Sequence, residues 1–360
     1  MPGAVLPAPP GGGRAGTGRT GASMNEYAKR KEFCRNALLF MQNDRIVLPM
    51  EIRMGQRWKS LLMLVLAALI WGAAFSAQSM AGEHVGAFTF NATRFYIGTL
   101  TLLPVIAVAD RRRRAADGGA VQNRRALWVG GALCGVALFL ASYLQQRGIE
   151  QTSAGKSGFL TALYIVLVPL VALVFQKKRA GLAVWAGVAV ALAGMYLLCI
   201  RDGFSVSEGG WYLLACALCF AVQILIVERY SPEVDCVRMS CIQFLVAGVL
   251  GSIPMLAVER PALADILAAW QPIAFVGVFS CGVAYTCQML GQRHVAAPVA
   301  SLIMSMESVF AAVFGALLLG ETMTGREIAG SALMFLAILL VQLWRPGRKR
   351  TGLAPASSDR

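Results

Sequence analysis

Charge is scarce in this sequence: 14% of the residues are Asp, Glu, Lys or Arg, 57% are hydrophobic, and the mean hydropathy is +0.61. A soluble chain of 360 residues could not hide that much apolar surface in a core, so the composition excludes an ordinary water-soluble protein and calls for lipid. Histidine is scarcer still. The two present, His84 and His294, fall in expected loops on opposite sides of a membrane, so a His-based catalytic triad or metal site has nothing to be built from. Acidic residues number 19 against 33 basic ones, yet the net charge of +14 does not point to nucleic acid. The Lys and Arg residues sit mainly in short segments between apolar runs, as the positive-inside rule requires. Most of the nine cysteines lie within apolar runs, where Cys behaves as a small hydrophobe; the Cys216-x-x-Cys219 pair has no second pair or histidine close by. A phosphate-binding loop is also missing. GIEQTSAGKS (148–157) ends in the right letters, but Glu150 stands where glycine is required and the segment opens an apolar run. The chain is therefore expected to use no cofactor, metal or catalytic residue, and not to be an enzyme.

What is present is a series of apolar segments, near 59–81, 86–109, 126–146, 153–176, 180–200, 209–229, 236–258, 271–291, 296–319 and 325–344, each long enough for a spanning helix. Residues 1–58 differ: a Gly-, Pro- and Ala-rich opening and a basic continuation predict a disordered tail. Because Met24, Met41, Met50 and Met54 all precede the first apolar run, an over-extended start is expected. With the N-terminus inside, twenty Lys and Arg residues fall on the inner side, among them Arg111 to Arg114, against four outside (Arg147, Arg201, Arg260, Arg326). That places both termini in the cytoplasm of a multi-pass cell (inner) membrane protein, the second tail being 345–360.

The two halves also repeat. LPVIAVAD (103–110) resembles IPMLAVER (253–260), YLQQR (143–147) resembles MLGQR (289–293), and 181–198 falls over 324–341 with Gly187 on Gly330. Matches in the same order support two five-helix units, 59–200 and 201–344. Five is odd, so the second unit must enter the membrane from the opposite side. The expected fold is all-α and integral to the membrane: ten transmembrane helices in two inverted five-helix repeats around a central cavity, an organisation that recurs in secondary transporters.

Polar residues inside the spans mark the candidate site. Glu307 lies near the middle of the ninth segment, where a charge costs about 2.5–3.5 kcal/mol and needs a partner, a proton or a polar cavity. Its match in the first repeat is Tyr164. Arg94 lies a third of the way into the second segment and Lys156 a turn into the fourth, both from the outer side. Each has a bland alternative: a helix-packing contact for Arg94, snorkelling for Lys156, a structural hydrogen bond for Glu307. Trp71, Gln78, Gln223 and Gln288 are deep enough to join them, whereas Tyr143, Gln146 and Tyr285 lie closer to span ends, where aromatic rings serve as interfacial anchors.

LIWGAAF (69–75), the pair Arg94-Phe95, TSAGKSGFLTALYIVLVPL (152–170) and SMESVFAAVFGALLLGE (305–321) together resemble the drug/metabolite transporter superfamily, in particular its EamA-type ten-helix permeases. The likeness covers 59–344. It implies a permease with a central cavity, both termini cytoplasmic, moving small metabolites such as amino acids. One departure is visible: Ser308 stands where relatives often have proline after the glutamate, which puts the bend there in question and frees the Ser308 hydroxyl to bond the preceding turn. The expected activity is secondary active transport, by alternating access, of an amino acid or related zwitterion or anion. A membrane-embedded enzyme acting on lipid-linked substrates and a channel are the alternatives. The expected partners are a small-molecule metabolite and the lipid bilayer, with protons and a second copy in a homodimer left open and nucleic acid excluded.

Overall fold

The computed structural model describes residues 54–115, 123–151, 154–199, 208–319 and 324–343. The expected tails at 1–53 and 345–360 lie outside the described residues, while Met54 to Trp58, expected as tail, are helical. Every described element is a helix and none is a strand. Physically this is the membrane solution, because lipid offers no partner to an unpaired N–H or C=O and a helix satisfies both within itself.

In chain order the helices are α1 (Met54–Gly82), α2 (Ala87–Ala115), α3 (Arg124–Ile149), α4 (Ala154–Ala162), α5 (Tyr164–Gln176), α6 (Leu182–Cys199), α7 (Glu208–Tyr230) and α8 (Cys236–Pro254). A wider π-helical turn, Met255–Glu259, extends α8. Then come α9 (Leu263–Ala268), α10 (Trp270–Phe275), a π-helical stretch (Val276–Tyr285), α11 (Thr286–Gln292), α12 (Ala297–Met304), α13 (Glu307–Leu319) and α14 (Gly325–Leu343). Among the described residues, eight helical spans are long and apolar enough to cross a membrane; two shorter apolar helices are Leu182–Leu197 and Ile328–Val341. The chain is a multi-pass membrane protein.

Local chemistry sets the boundaries. The Asn123 side chain accepts from Ala126 N–H to start α3, and that of Asp235 accepts from Val237 and Arg238 N–H to start α8. Lys177 and Arg260 close their helices in the left-handed conformation. The interior is largely apolar, as in a soluble protein, but the surface is apolar too and several polar side chains lie inside. Leu62, Leu100, Val258 and Leu343 face outward, while Gln78, Asn91, Arg94, Gln223, Gln243, Gln288 and Glu307 are buried.

Helices pack as α6 on α14, α3 on α7 and α8, α2 on α8 and the π-helical stretch, α1 on α13 and on the 270–292 span, and α4–α5 on α7. Lipid tails are as apolar as the side chains, so close backbone approach has to hold such contacts. Gly72 is one such place: a Cβ there would stand 2.5 Å from Phe310 Cβ and 2.8 Å from Ala311 N. Hydrogen bonds supply the rest. Gln146 Nε2 donates to the Gln78 carbonyl (3.2 Å) and Gln292 Nε2 to the Ile224 carbonyl (3.1 Å). At one end of the α2/α8 pair, Phe88 N–H and Thr89 N–H donate to the Glu259 carboxylate (2.9 and 2.7 Å), which caps α2. At the other end Arg238 pairs with Asp110.

The fourth and ninth apolar segments, expected as continuous helices, are each interrupted. Leu163 separates α4 from α5, and Ser305-Met306 separates α12 from α13. Tightened turns mark both places: Leu163 N–H bonds the Leu160 carbonyl, Met306 N–H that of Ile303 and Ser308 N–H that of Ser305. Tyr164 and Glu307 are consequently the first residues of two half-helices. The interruption before Glu307 forms without the proline. The Ser308 hydroxyl, expected to bond the preceding turn, instead donates to the Gly158 carbonyl of α4 (3.1 Å), which ties the two interrupted segments together.

Candidate functional site

Helical spacing aims the polar residues inward. Trp71, Phe75 and Gln78 recur at i, i+4 and i+7 on α1; Phe220, Gln223 and Ile224 share a face of α7; Tyr285 and Gln288 stand three apart at the junction of the π-helical stretch with α11. These faces, with Arg94 from α2, Tyr164 from α5 and Glu307 from α13, line one cavity of about 30 Å³. Space of that size accommodates about one or two water molecules.

Seven of the eight expected residues, Trp71, Gln78, Arg94, Tyr164, Gln223, Gln288 and Glu307, meet in this wall. Lys156 has its backbone in α4, and its side chain lies outside the described set. Tyr285, ranked lower because of its place near a span end, also lines the cavity, against Trp71 edge-on at 4.9 Å. Tyr143 does not; it stacks on Phe88 at 4.2 Å. Gln146 holds the Gln78 carbonyl rather than facing the cavity. Sequence reasoning passed over Phe75, Gln145, Thr161 and Ser280. Phe75 and Thr161 could have been found from spacing, being a turn away from Trp71 and Tyr164; Gln145 and Ser280 carry no such signal.

The arrangement is electrostatically unfinished. Arg94 is 3% exposed, donates from Nη1 to Gln78 Oε1 (3.2 Å) and lies over the Phe90 and Phe95 rings, each centroid 5.0 Å away. Its Nε–H has no partner. Glu307 is 4% exposed and faces the Tyr164 hydroxyl, but neither Glu307 Oε1 nor Tyr164 Oη finds a partner at hydrogen-bonding geometry. Neither Arg94 nor Glu307 has an ion-pair partner among the described residues. Trp71 Nε1–H, Thr161 Oγ1 and Gln288 Oε1 are also buried and unpartnered. Unpaired buried polar groups are costly, and here several collect around one small space. Such a wall offers donors and acceptors, a cationic and an acidic group, around one space. Among the described residues no group of three or more His, Cys, Asp or Glu could hold a metal.

Comparison with known proteins agrees with this architecture. A transporter of Archaeoglobus fulgidus, named only as an uncharacterized transporter, is 29% identical over 280 residues, covering 78% of this chain and 84% of that protein. The threonine/homoserine exporter RhtA of Salmonella typhimurium is 28% identical over 287 residues, covering 78% and 90%. A solved crystal structure at 20% identity superposes with a TM-score of 0.64 over 79% of this chain and 96% of its own, a likeness of fold alone. These relatives are named as transporters and exporters, not enzymes. The profile of the EamA-like transporter family matches twice, at residues 58–200 and 208–343, and the chain belongs to that family.

Proposed function

We propose that this protein is a secondary active transporter that carries a small zwitterionic metabolite, an amino acid or close relative, by alternating access through the cavity between its two halves. One observation carries the reading. Arg94 and Glu307 are buried ionisable groups of opposite sign in the wall of one cavity, and neither has a counter-ion among the described residues. A zwitterion supplies both missing partners: its carboxylate pairs with the guanidinium, its ammonium with the carboxylate. The relative named as a threonine/homoserine exporter fits that substrate class.

Alternating access is supported by size and by internal likeness. A space of about 30 Å³ is too small for an amino acid, so uptake requires helices to part, unlike conduction through a standing pore. Ten crossings in two inverted repeats are supported by paired features. Gln146 on Gln78 and Gln292 on Ile224 are the same bond 146 residues apart (292 − 146 and 224 − 78). The interruptions before Tyr164 and Glu307 stand 143 apart (307 − 164). Each copy of the family profile covers one half. On this reading both termini face the cytoplasm, the two shorter helices complete the ten, and the repeats rock about the interrupted segments.

Counterflow in proteoliposomes tests the proposal. Loading with L-threonine should drive saturable uptake of labelled L-threonine or homoserine, and Arg94→Gln should raise the KM for them at least tenfold. Non-saturating flux would indicate a channel, and absence of counterflow with any amino acid would sink the substrate class.

A further inference from the structure

Three glutamines from three helices form a buried chain that ends at the cavity. Gln288 Nε2 donates to Gln223 Oε1 at 3.0 Å, and Gln223 Nε2 donates to Gln243 Oε1 at 3.2 Å. All three are at most 1% exposed. Gln223 and Gln288 line the cavity, whereas Gln243, on α8, does not. Each end of the chain is open: Gln288 Oε1 and Gln243 Nε2 are buried without partners.

We infer that this chain is a polarity relay, in which Gln243, acting as a positioning residue through Gln223, holds the Gln288 carbonyl oxygen toward the cavity as the acceptor for the substrate's N–H donors. The inference rests on the cavity being the transport site. A lone glutamine in a cavity wall can rotate its amide by half a turn and present either oxygen or NH₂. Linked head to tail, none of the three can turn alone, because a single reversal sets oxygen against oxygen or NH₂ against NH₂. The orientation at Gln288 is therefore decided jointly: the chain reverses only as a whole, and in the order it adopts Gln243 contributes its oxygen, with its NH₂ left over at the far end. The chain thereby adds a neutral acceptor to the site that holds the Glu307 carboxylate. A ligand with an ammonium group satisfies this wall. One with a carbonyl at the same position opposes lone pairs to it.

The relay predicts which substitutions matter. Gln243→Leu removes the oxygen that orders Gln223, so Gln223 and Gln288 can reverse together and show NH₂ to the cavity. Gln243→Glu keeps an accepting oxygen and exchanges the NH₂ that bonds nothing for a second oxygen, ionised or carrying one proton, so its thermal stability is measured alongside. The readout is the affinity ratio of 2-aminobutyrate to 2-oxobutyrate, two ligands of one carbon skeleton, measured as inhibition of L-threonine counterflow and as thermal stabilisation of the purified protein. We expect the wild type to favour the amino acid. Gln243→Leu should cut the ratio about tenfold, partly through tighter binding of the oxo acid, the scale of one hydrogen bond to a charged group. Gln243→Glu should keep the ratio within about threefold, since the bond it retains is the one that matters. A purely structural role would weaken both ligands alike and leave the ratio unchanged, which overturns the relay. Should Gln243→Glu behave like Gln243→Leu, the chain runs with the opposite polarity and the inference is wrong. A wild type that binds neither ligand by either measurement removes the transport reading together with the relay, whereas normal binding with an unaltered ratio removes the relay alone.

Discussion

Replacing Glu307 with glutamine separates the three roles a mid-membrane carboxylate can have. The side chain keeps its size and loses its charge. In place, Glu307 is 4% exposed, has no ion pair among the described residues and leaves Oε1 without a hydrogen-bond partner. A charge at bilayer depth costs about 2.5–3.5 kcal/mol on insertion scales, and with no ion pair among the described residues the position of Glu307 in the first turn of α13 offsets only part of it. Glutamine is still polar, so the substitution recovers part of that cost, about 1–2 kcal/mol. Glu307→Gln should therefore be more stable, with an unfolding midpoint in detergent raised by a few degrees, while L-threonine counterflow falls at least tenfold because the ammonium loses its counter-charge. Stability gained where activity is lost marks a group retained for function. If the variant instead melts earlier and transports normally, the carboxylate pins two helices and the site assignment fails. A proton-carrying role would show as loss of the wild-type pH dependence of counterflow under a pH gradient. Full rate with unchanged pH dependence in Glu307→Gln would remove both functional roles.

Further consequences follow from the packing. A methyl group at position 72 stands 2.5 Å from Phe310 Cβ, about 1 Å inside ordinary carbon contact, so Gly72→Ala must push α1 from α13. Overpacking of that kind costs about 1–3 kcal/mol; the melting midpoint should drop, and transport should drop with it because Trp71 and Glu307 flank the contact. Ser308→Ala deletes the bond to Gly158 and should cost about 0.6 kcal/mol, a typical interhelical hydrogen bond in a membrane, read by thermal unfolding. Glu259→Gln keeps the shape of the α2 cap but removes its charge and turns one accepting oxygen into an NH₂ that faces a donor, for about 1.5–3 kcal/mol of stability read by thermal unfolding; an effect below about 0.5 kcal/mol would mean that the carboxylate does not cap α2. Gly86 should tolerate no side chain, since a Cβ there meets the same carboxylate; Gly86→Ala should release the cap and melt earlier than Glu259→Gln.

Much of this was legible in the chain because lipid imposes strict one-dimensional rules. A spanning helix needs about 20 apolar residues, so runs such as 209–229 announce themselves, and the structure returns that run as α7. One pairing behind the proposed repeat has a counterpart in the packing: YLQQR over MLGQR aligned Gln146 with Gln292, and each donates to a backbone carbonyl of a neighbouring helix. Glu307, Arg94 and the deep amides stood out because a polar side chain within a span needs an explanation. The interruptions at Leu163 and Ser305-Met306 carried no such mark. Neither place holds a glycine, and Ser308 lacks the ring that would have signalled a break; the interruption depends on contacts between segments, of which the Ser308 bond to Gly158 is one.

By itself, then, the sequence determined the environment, the helices and which residues are too polar to face lipid, since each follows from local composition and period. Tertiary structure decided which of those residues share a cavity. Seven candidates from six helices converge, Gln146 turns away, and Gln243, unremarkable in the chain, becomes the far end of a hydrogen-bonded relay. The reason is geometric: hydropathy says that a side chain must be inside, but only the crossing of helices distant in the chain says what it meets there.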